Sequence, residues 1–391
     1  MTRKTTRRDM LKESAALAGL GILGLPEWAF PALAQEETLV PFTDLPETIT
    51  LERTPDRRII DVRTIRGVLT PSEQFFTTQH YGHPEIDLAT YRLQVSGLVD
   101  RPLSLSLEDL RSMPSRELVF GFECSGNRGP VNGLCSNGRW RGVPLRAVME
   151  RAGLRPEARE VVLFGADHGE EDVEFRGNTF TVDQHYGRSL QRDQALSDGP
   201  LLAYSLNDEP LTTHQGRPLR LLVPGWYGAP NVKWVSEIHV QEDQYLGKYQ
   251  ARWYRTLKGE MVNGEMQWKE TAITKMRLKS FIARVTRATA DGSRHNVFGV
   301  VLHDGTPIRS VEVRVDDGPW QPATMDPATT GERYGWKFFN YTWNNAAPGE
   351  HTVTSRATDA DGYVQPTAEE LEVKQTFLEH NAQLPRTLVI T

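Results

Sequence analysis

Both cysteines of this 391-residue chain, Cys124 and Cys135, lie in one glycine- and asparagine-rich stretch, FECSGNRGPVNGLCSNGRW, residues 122–140. No disulfide can therefore join distant parts of the chain, and the fold must be held by packed apolar cores. The length exceeds what one compact core serves, which points to two or three domains. A content of 38% hydrophobic and 25% charged residues is ordinary for a folded soluble chain. The thiols themselves leave several readings open: a disulfide closing a small loop, a metal ligand, or two unrelated residues. Zinc is disfavoured, because no further cysteine or histidine stands at ligand spacing around Cys124. The C-x-x-C-H run that attaches haem is absent.

The first 34 residues read as an address. Thr6-Arg7-Arg8-Asp9-Met10-Leu11-Lys12 resembles the twin-arginine export motif, an apolar run from Ala15 to Leu25 follows, and Ala32-Leu33-Ala34 supplies small residues for cleavage. The formal charge of −6 becomes −8 without residues 1–34, with 40 basic against 48 acidic residues. An acidic chain with no later basic block argues against a nucleic-acid partner. No later segment is long and apolar enough to span a membrane, so the expected location is the periplasm. That route resembles one used by proteins that fold before they cross, often because a cofactor must first be buried.

Beyond a loop-rich start, Tyr91–Val99 alternates as a strand. Ser106 caps a helix over Leu107–Met113, Glu117–Phe122 is a strand running into the cysteine loop, and a helix over Pro144–Ala152 closes at Gly153. Val161–Phe164, Leu201–Ser205 and Leu219–Val223 read as short buried strands. This predicts a mixed α+β domain over residues 35–260, then a polar linker over 261–279. Regularly spaced strands follow: Phe281–Thr286, Val297–Leu302, Ser310–Val315, Trp336–Trp343 and Glu350–Thr358. With a turn at Asp316-Asp317-Gly318, they predict a β-sandwich over residues 280–391.

Phe122-Glu123-Cys124-Ser125-Gly126-Asn127-Arg128 resembles the E-C-x-G-N-R segment of the sulfite oxidase family of molybdenum enzymes. Arg139-Trp140-x-Gly142-Val143 is similar to the turn that follows it there. The resemblance continues through Leu201-Leu202-Ala203-Tyr204 with Asn207-x-Glu209-Pro210-Leu211, and through Gly216-x-Pro218-Leu219-Arg220. It extends over Val223-Pro224-Gly225, Asn231-Val232-Lys233-Trp234 and Asp359-x-Asp361-Gly362-Tyr363-Val364-Gln365-Pro366. It implies molybdenum held by a molybdopterin dithiolene, with Cys124 as the protein's metal ligand and Cys135 a structural thiol. It implies an immunoglobulin-like dimerisation domain after the catalytic one, hence a homodimer. Within the family, exported bacterial haem-free sulfite dehydrogenases are the nearest likeness.

Residue by residue, the resemblance places His80, flanked by Thr78 and Gln79, at the pterin, with Asp167 on its amino-pyrimidine. Arg220 and Lys233 would meet the phosphate, with Asn231 as an amide donor and Gln215 where relatives often carry histidine. Tyr254 would point its hydroxyl at the exchangeable oxygen. Two expected arginines are replaced, by Thr78 and Gly129, with Arg128 and Arg252 as possible compensation. The implied activity is oxidation of sulfite to sulfate, with electrons leaving to a soluble c-type cytochrome. The same cofactor acting on protein-bound sulfane sulfur or on a sulfoxide is the alternative that the missing arginines favour.

Overall fold

The computed structural model describes residues 37–288 and 292–391; the export signal expected over residues 1–34 lies outside them. After β1 (Thr38–Val40) the chain is mostly irregular until β2 (Leu93–Gly97) and β3 (Leu103–Leu105). Helix α1 (Leu107–Ser112) starts at a reciprocal cap: the Ser106 hydroxyl accepts from the Asp109 amide, and the Asp109 carboxylate accepts from the Ser106 amide. Strands β4 (Arg116–Glu123) and β5 (Cys135–Pro144) flank the cysteine loop. Helix α2 (Leu145–Ala152) ends where Gly153 takes φ 74°, a conformation cheap for glycine alone. Among the described residues no helix is longer than these eight residues, so strands dominate the α+β fold.

A long hairpin follows, β6 (Glu160–Phe175) with β7 (Asn178–Gln191). The expected strand at Val161–Phe164 is thus only its buried root. The acidic run beyond Gly165 conceals the rest from hydrophobic patterning, because that part stands in solvent. Next come β8 (Leu201–Leu206), β9 (Arg220–Leu222) and β10 (Val235–Gln241). One sheet runs β7-β6-β10-β2-β3, with β10 parallel to β2, and another runs β8-β5-β4 with β9 also on β8. The first packs over α2 and buries Leu93, Val148, Met149, Leu163 and Ile238. The second carries an aromatic core of Phe75, Phe120, Phe122 and Trp140.

Residues 261–279 are not the irregular linker expected. Strands β11 (Arg255–Val262) and β12 (Glu265–Ala272) form a hairpin about Asn263-Gly264, both at positive φ. Asn-Gly is a strong hairpin signal; the flanking residues are largely exposed, so they lack the alternation that marks a half-buried strand.

Of the six longer strands that follow, the first five match the expected strands within a few residues, and the last was not expected. They are β13 (Lys279–Arg287), β14 (Arg294–Leu302), β15 (Ile308–Val315), β16 (Lys337–Asn344), β17 (Gly349–Asp359) and β18 (Arg386–Ile390). They build two antiparallel sheets, β1-β13-β14-β16 and β15-β17-β18, packed face to face through Ile282, Val297, Phe339, Val311, Val353 and Leu388. In the turn after β15 it is Asp316, at φ 50°, that takes the left-handed conformation, whereas Gly318 does not. Strand β1 pairs with β13, so the first described strand joins the C-terminal sheets instead of the preceding unit.

Candidate cofactor site

Cys124 follows β4 in a turn closed by hydrogen bonds from its amide to the Leu134 carbonyl and from the Asn127 amide to its own carbonyl. Beneath it, the buried Glu123 carboxylate accepts from Asn127 Nδ2 at 2.8 Å and pairs with Lys279 Nζ at 3.0 Å. Asn127 Oδ1 accepts from the Leu134 amide, and Lys279 also donates to the Asn127 carbonyl. This network clamps the loop at both ends and presents the thiol sideways. Cys124 Sγ accepts from the Gly126 amide at 3.4 Å; burial nevertheless pushes its pKa up. Cys135 is buried at the start of β5, donates to the Asn132 carbonyl at 3.2 Å, and is likewise free. The disulfide reading falls.

Cys124 lines a cleft whose walls bring together residues from Phe76 to Tyr254. One wall is aromatic. His80 stacks on Tyr249 at 4.7 Å and on Tyr186 at 5.7 Å between ring centroids. Its Nε2 lies 2.7 Å from the Tyr254 hydroxyl. Burial, with the charges of Lys233 and Lys248, lowers the His80 pKa to about 4, so the imidazole is neutral at pH 7. Tyr254 is raised well above the usual phenol value, chiefly by burial. Tyr186 enters the cleft because the β6–β7 register slips between His185 and Gly187; such irregularities re-aim a side chain.

Another part of the lining is polar and positive. Lys233 Nζ donates to Thr77 Oγ1 at 3.0 Å and to Gln79 Oε1 at 3.1 Å. Burial and the neighbouring charge of Arg220 lower its pKa. Arg220 is buried over the rings of Phe122 and Trp140 and donates to the backbone carbonyls of Gln215 and Asn231. Burial works against its charged form, and burial raises the carboxyl of Asp167.

Of the residues expected at the site, Cys124, Thr78, Gln79, His80, Asp167, Arg220, Asn231, Lys233 and Tyr254 line the cleft. Asn231 does so with its amide partly engaged: Oδ1 accepts from the Val223 amide and Nδ2 donates one of its two hydrogens to the Tyr227 carbonyl. Gln215 is buried just behind Arg220, outside the lining. Arg128 does not reach the cleft; it is exposed, with its guanidinium over the Phe377 ring at 4.7 Å. Arg252 is exposed and outside the lining too. The sequence reading missed Tyr186 and Tyr249, which carry no local motif, and the clamp of Glu123 by Lys279, which spans 156 positions.

Does this cleft fit a phosphorylated pterin bound to a thiolate-seeking metal? Thr78 Oγ1, Asp167 Oδ1, Gln215 Nε2 and Arg220 Nε are buried without a hydrogen-bond partner. Buried polar atoms are normally satisfied, so the three on the lining, from Thr78, Asp167 and Arg220, call for a polar occupant. Among the described residues no salt bridge reaches Lys233 or Arg220, so a phosphate would supply the missing negative charge. The donor set fits: two cations for an anion, a carboxyl for an amino-pyrimidine, and one soft sulfur for a metal.

The comparisons agree. Residues 80–249 match the oxidoreductase molybdopterin binding domain family. The chain is 31% identical over 321 residues to sulfite oxidase of Gallus gallus, spanning 76% of this chain and 68% of that protein. Mitochondrial sulfite oxidase of Homo sapiens is 30% identical over 76% of this chain, which spans 57% of the human protein's length. An inducible NADH nitrate reductase of Glycine max is 28% identical over 70% of this chain and 34% of its own length. In fold, the chain is similar to the crystal structure of the sulfane dehydrogenase SoxCD from Paracoccus pantotrophus. The TM-score is 0.72 at 22% identity, covering 99% of this chain and all of that one.

A molybdopterin cleft with a single cysteine at its edge defines a molybdenum oxidoreductase. The chain belongs to the sulfite oxidase family.

Proposed function

We propose that the protein is an exported, haem-free sulfite dehydrogenase that oxidises sulfite to sulfate and passes electrons to a separate c-type cytochrome in the periplasm. The observation that carries this reading is the cleft, whose lining brings Cys124 and the His80–Tyr254 pair together with the cations Lys233 and Arg220. When bound, the molybdenum–molybdopterin group supplies two-electron oxygen-atom transfer. Lys233 and Arg220 would hold its phosphate and Asp167 its amino-pyrimidine, while Cys124 Sγ would ligate the metal. Neutral His80 fixes the Tyr254 hydroxyl; with Nε2–H donating to that oxygen, the phenol proton is free to meet charge developing on the reacting oxygen. The face-to-face sheets of the C-terminal half would form an immunoglobulin-like dimerisation domain, following a catalytic domain drawn mainly from residues 35–260.

A second reading, oxidation of protein-bound sulfane sulfur, is favoured by Thr78 standing in the cleft while Arg128 lies outside it. Less positive charge weakens attraction for a small dianion, and the fold likeness to a sulfane dehydrogenase extends along the whole chain. The test is reduction of ferricytochrome c by metal-replete protein, with sulfite and with a protein-bound persulfide as alternative donors. Rapid reduction by sulfite supports the first reading. Reduction by the persulfide alone replaces it with the second.

A further inference from the structure

The hairpin β6–β7 carries a second constellation, outside the cleft lining. His168 stands directly opposite His185 in the antiparallel register, and Asp183 lies two residues before His185, on the same face of the pleat. His168 Nδ1 is 2.7 Å from Asp183 Oδ1, and His185 Nε2 is 3.9 Å from Asp183 Oδ2. The imidazoles stack at 4.7 Å with 13° between their planes. One ligand atom from each residue lies within 4.8 Å of the other two. Ligands on a tetrahedral zinc ion with bonds of about 2.1 Å sit roughly 3.4 Å apart. Closing that difference takes only side-chain rotation on residues in solvent.

Two observations point to a cation beyond proximity alone. His185 Nδ1 lies 3.4 Å from the Gly165 carbonyl. A carbonyl can only accept, so Nδ1 is the donor in this contact, and Nε2 is the nitrogen that faces Asp183. A backbone carbonyl holding the far ring nitrogen is how metal-binding imidazoles are commonly oriented. In addition, Asp183 is paired across the strands with Glu170, and like charges in that relation destabilise a hairpin. A bound cation offsets that repulsion.

We propose that His168, Asp183 and His185 form a surface site for a divalent transition-metal ion of the zinc class, with water completing the coordination. His168 follows Asp167 and His185 precedes Tyr186, both of which line the cofactor cleft. The site therefore lies on the solvent side of the strands that wall the cleft.

The experiment uses tag-free holoprotein stripped of loose metal by a chelator and titrated with zinc chloride in a calorimeter. One saturable site per chain of micromolar affinity or tighter is expected. The side chains are about half exposed, so His168→Gln with His185→Gln leaves the circular dichroism spectrum and molybdenum content unchanged. It should weaken zinc binding at least tenfold, and Asp183→Asn should weaken it by a smaller factor. Copper(II) in place of zinc should give an electron paramagnetic resonance spectrum with coupling to two imidazole nitrogens, lost in the double variant. Absence of saturable binding by the parent protein, or equal binding by the double variant, would overturn the proposal.

Discussion

Lys233, the proposed phosphate contact, is a cation held where burial disfavours its charge. Its ammonium sits among Thr77, Gln79 and the carbonyl of His214, with Arg220 close by. Its pKa falls from the model-peptide value of 10.5 to about 7. A lowered lysine pKa means that the folded state binds fewer protons than the unfolded chain between those values. The penalty is therefore full at and below about pH 7, and stability recovers as pH rises from 7 towards 10.5. Thr77 and Gln79 stay bonded to each other when the ammonium is removed. Cofactor-free Lys233→Met should thus be more stable than the parent by about 1–2 kcal/mol at pH 7, with the advantage shrinking at higher pH. The same variant should retain less molybdopterin. Urea unfolding across pH, beside pterin analysis of purified protein, checks both halves. Cys124 makes the complementary case. Its half-buried thiol has a raised pKa, so the proposed metal would have to displace a proton on binding. Cys124→Ser should leave the melting temperature and the pterin content nearly unchanged but lower turnover at least about 100-fold. Near-normal turnover would remove Cys124 from the ligand role.

The cysteine loop is an element whose shape depends on partners far along the chain. Glu123 and Lys279 are both almost fully buried, with side-chain exposures of 2% and 3%. Breaking such a pair from one side strands the other charge, at a cost of about 3–5 kcal/mol. Lys279→Met should therefore destabilise the protein by that amount and loosen cofactor retention, because Cys124 adjoins Glu123. Adding Glu123→Gln keeps an acceptor for Asn127 and removes the stranded charge, so the double variant should recover much of the loss. A double variant no better than Lys279→Met in equilibrium unfolding would show that packing, not charge, holds the loop. The elements also show what sequence can disclose. Helix α1 was legible from Ser106 and α2 from Pro144 and Gly153, because caps are local chemistry. Most buried strands were legible from apolar runs. The distal part of β6–β7 and the hairpin β11–β12 were not, since strands in solvent need no apolar face. The cleft residues were found through motif likeness. Tyr186 owes its place to a register slip, and Arg128 turned outwards to Phe377; neither outcome is written in local sequence.

At the scale of the whole molecule, the chain crosses repeatedly between its two halves. Val40, Phe42 and Leu45 pack into the core between the C-terminal sheets, and Asp44 pairs with fully buried Arg386 at 3.1 Å. Ile60, Val62, Ile65 and Val68 then pack with Phe281, Phe298 and Trp336. Gly121 on β4 lies so close to Trp336 that an added Cβ would sit 2.3 Å from the indole, so only glycine allows that approach. Near the end the chain returns: the Glu379 amide donates to the Ser125 carbonyl, and its carboxylate accepts from the Thr256 hydroxyl. Chains this long often melt domain by domain, because few contacts cross their boundaries. Here buried charges and core residues of each half have their partners in the other. The cofactor-replete protein should show one calorimetric transition, with van't Hoff and calorimetric enthalpies in agreement. Truncation before Lys279 should give insoluble material, since it leaves Glu123 buried without its cation and bares the apolar faces that cover β4. Two well-separated transitions, or a soluble truncated chain with native circular dichroism, would show that the crossings decorate two independent units instead of joining them.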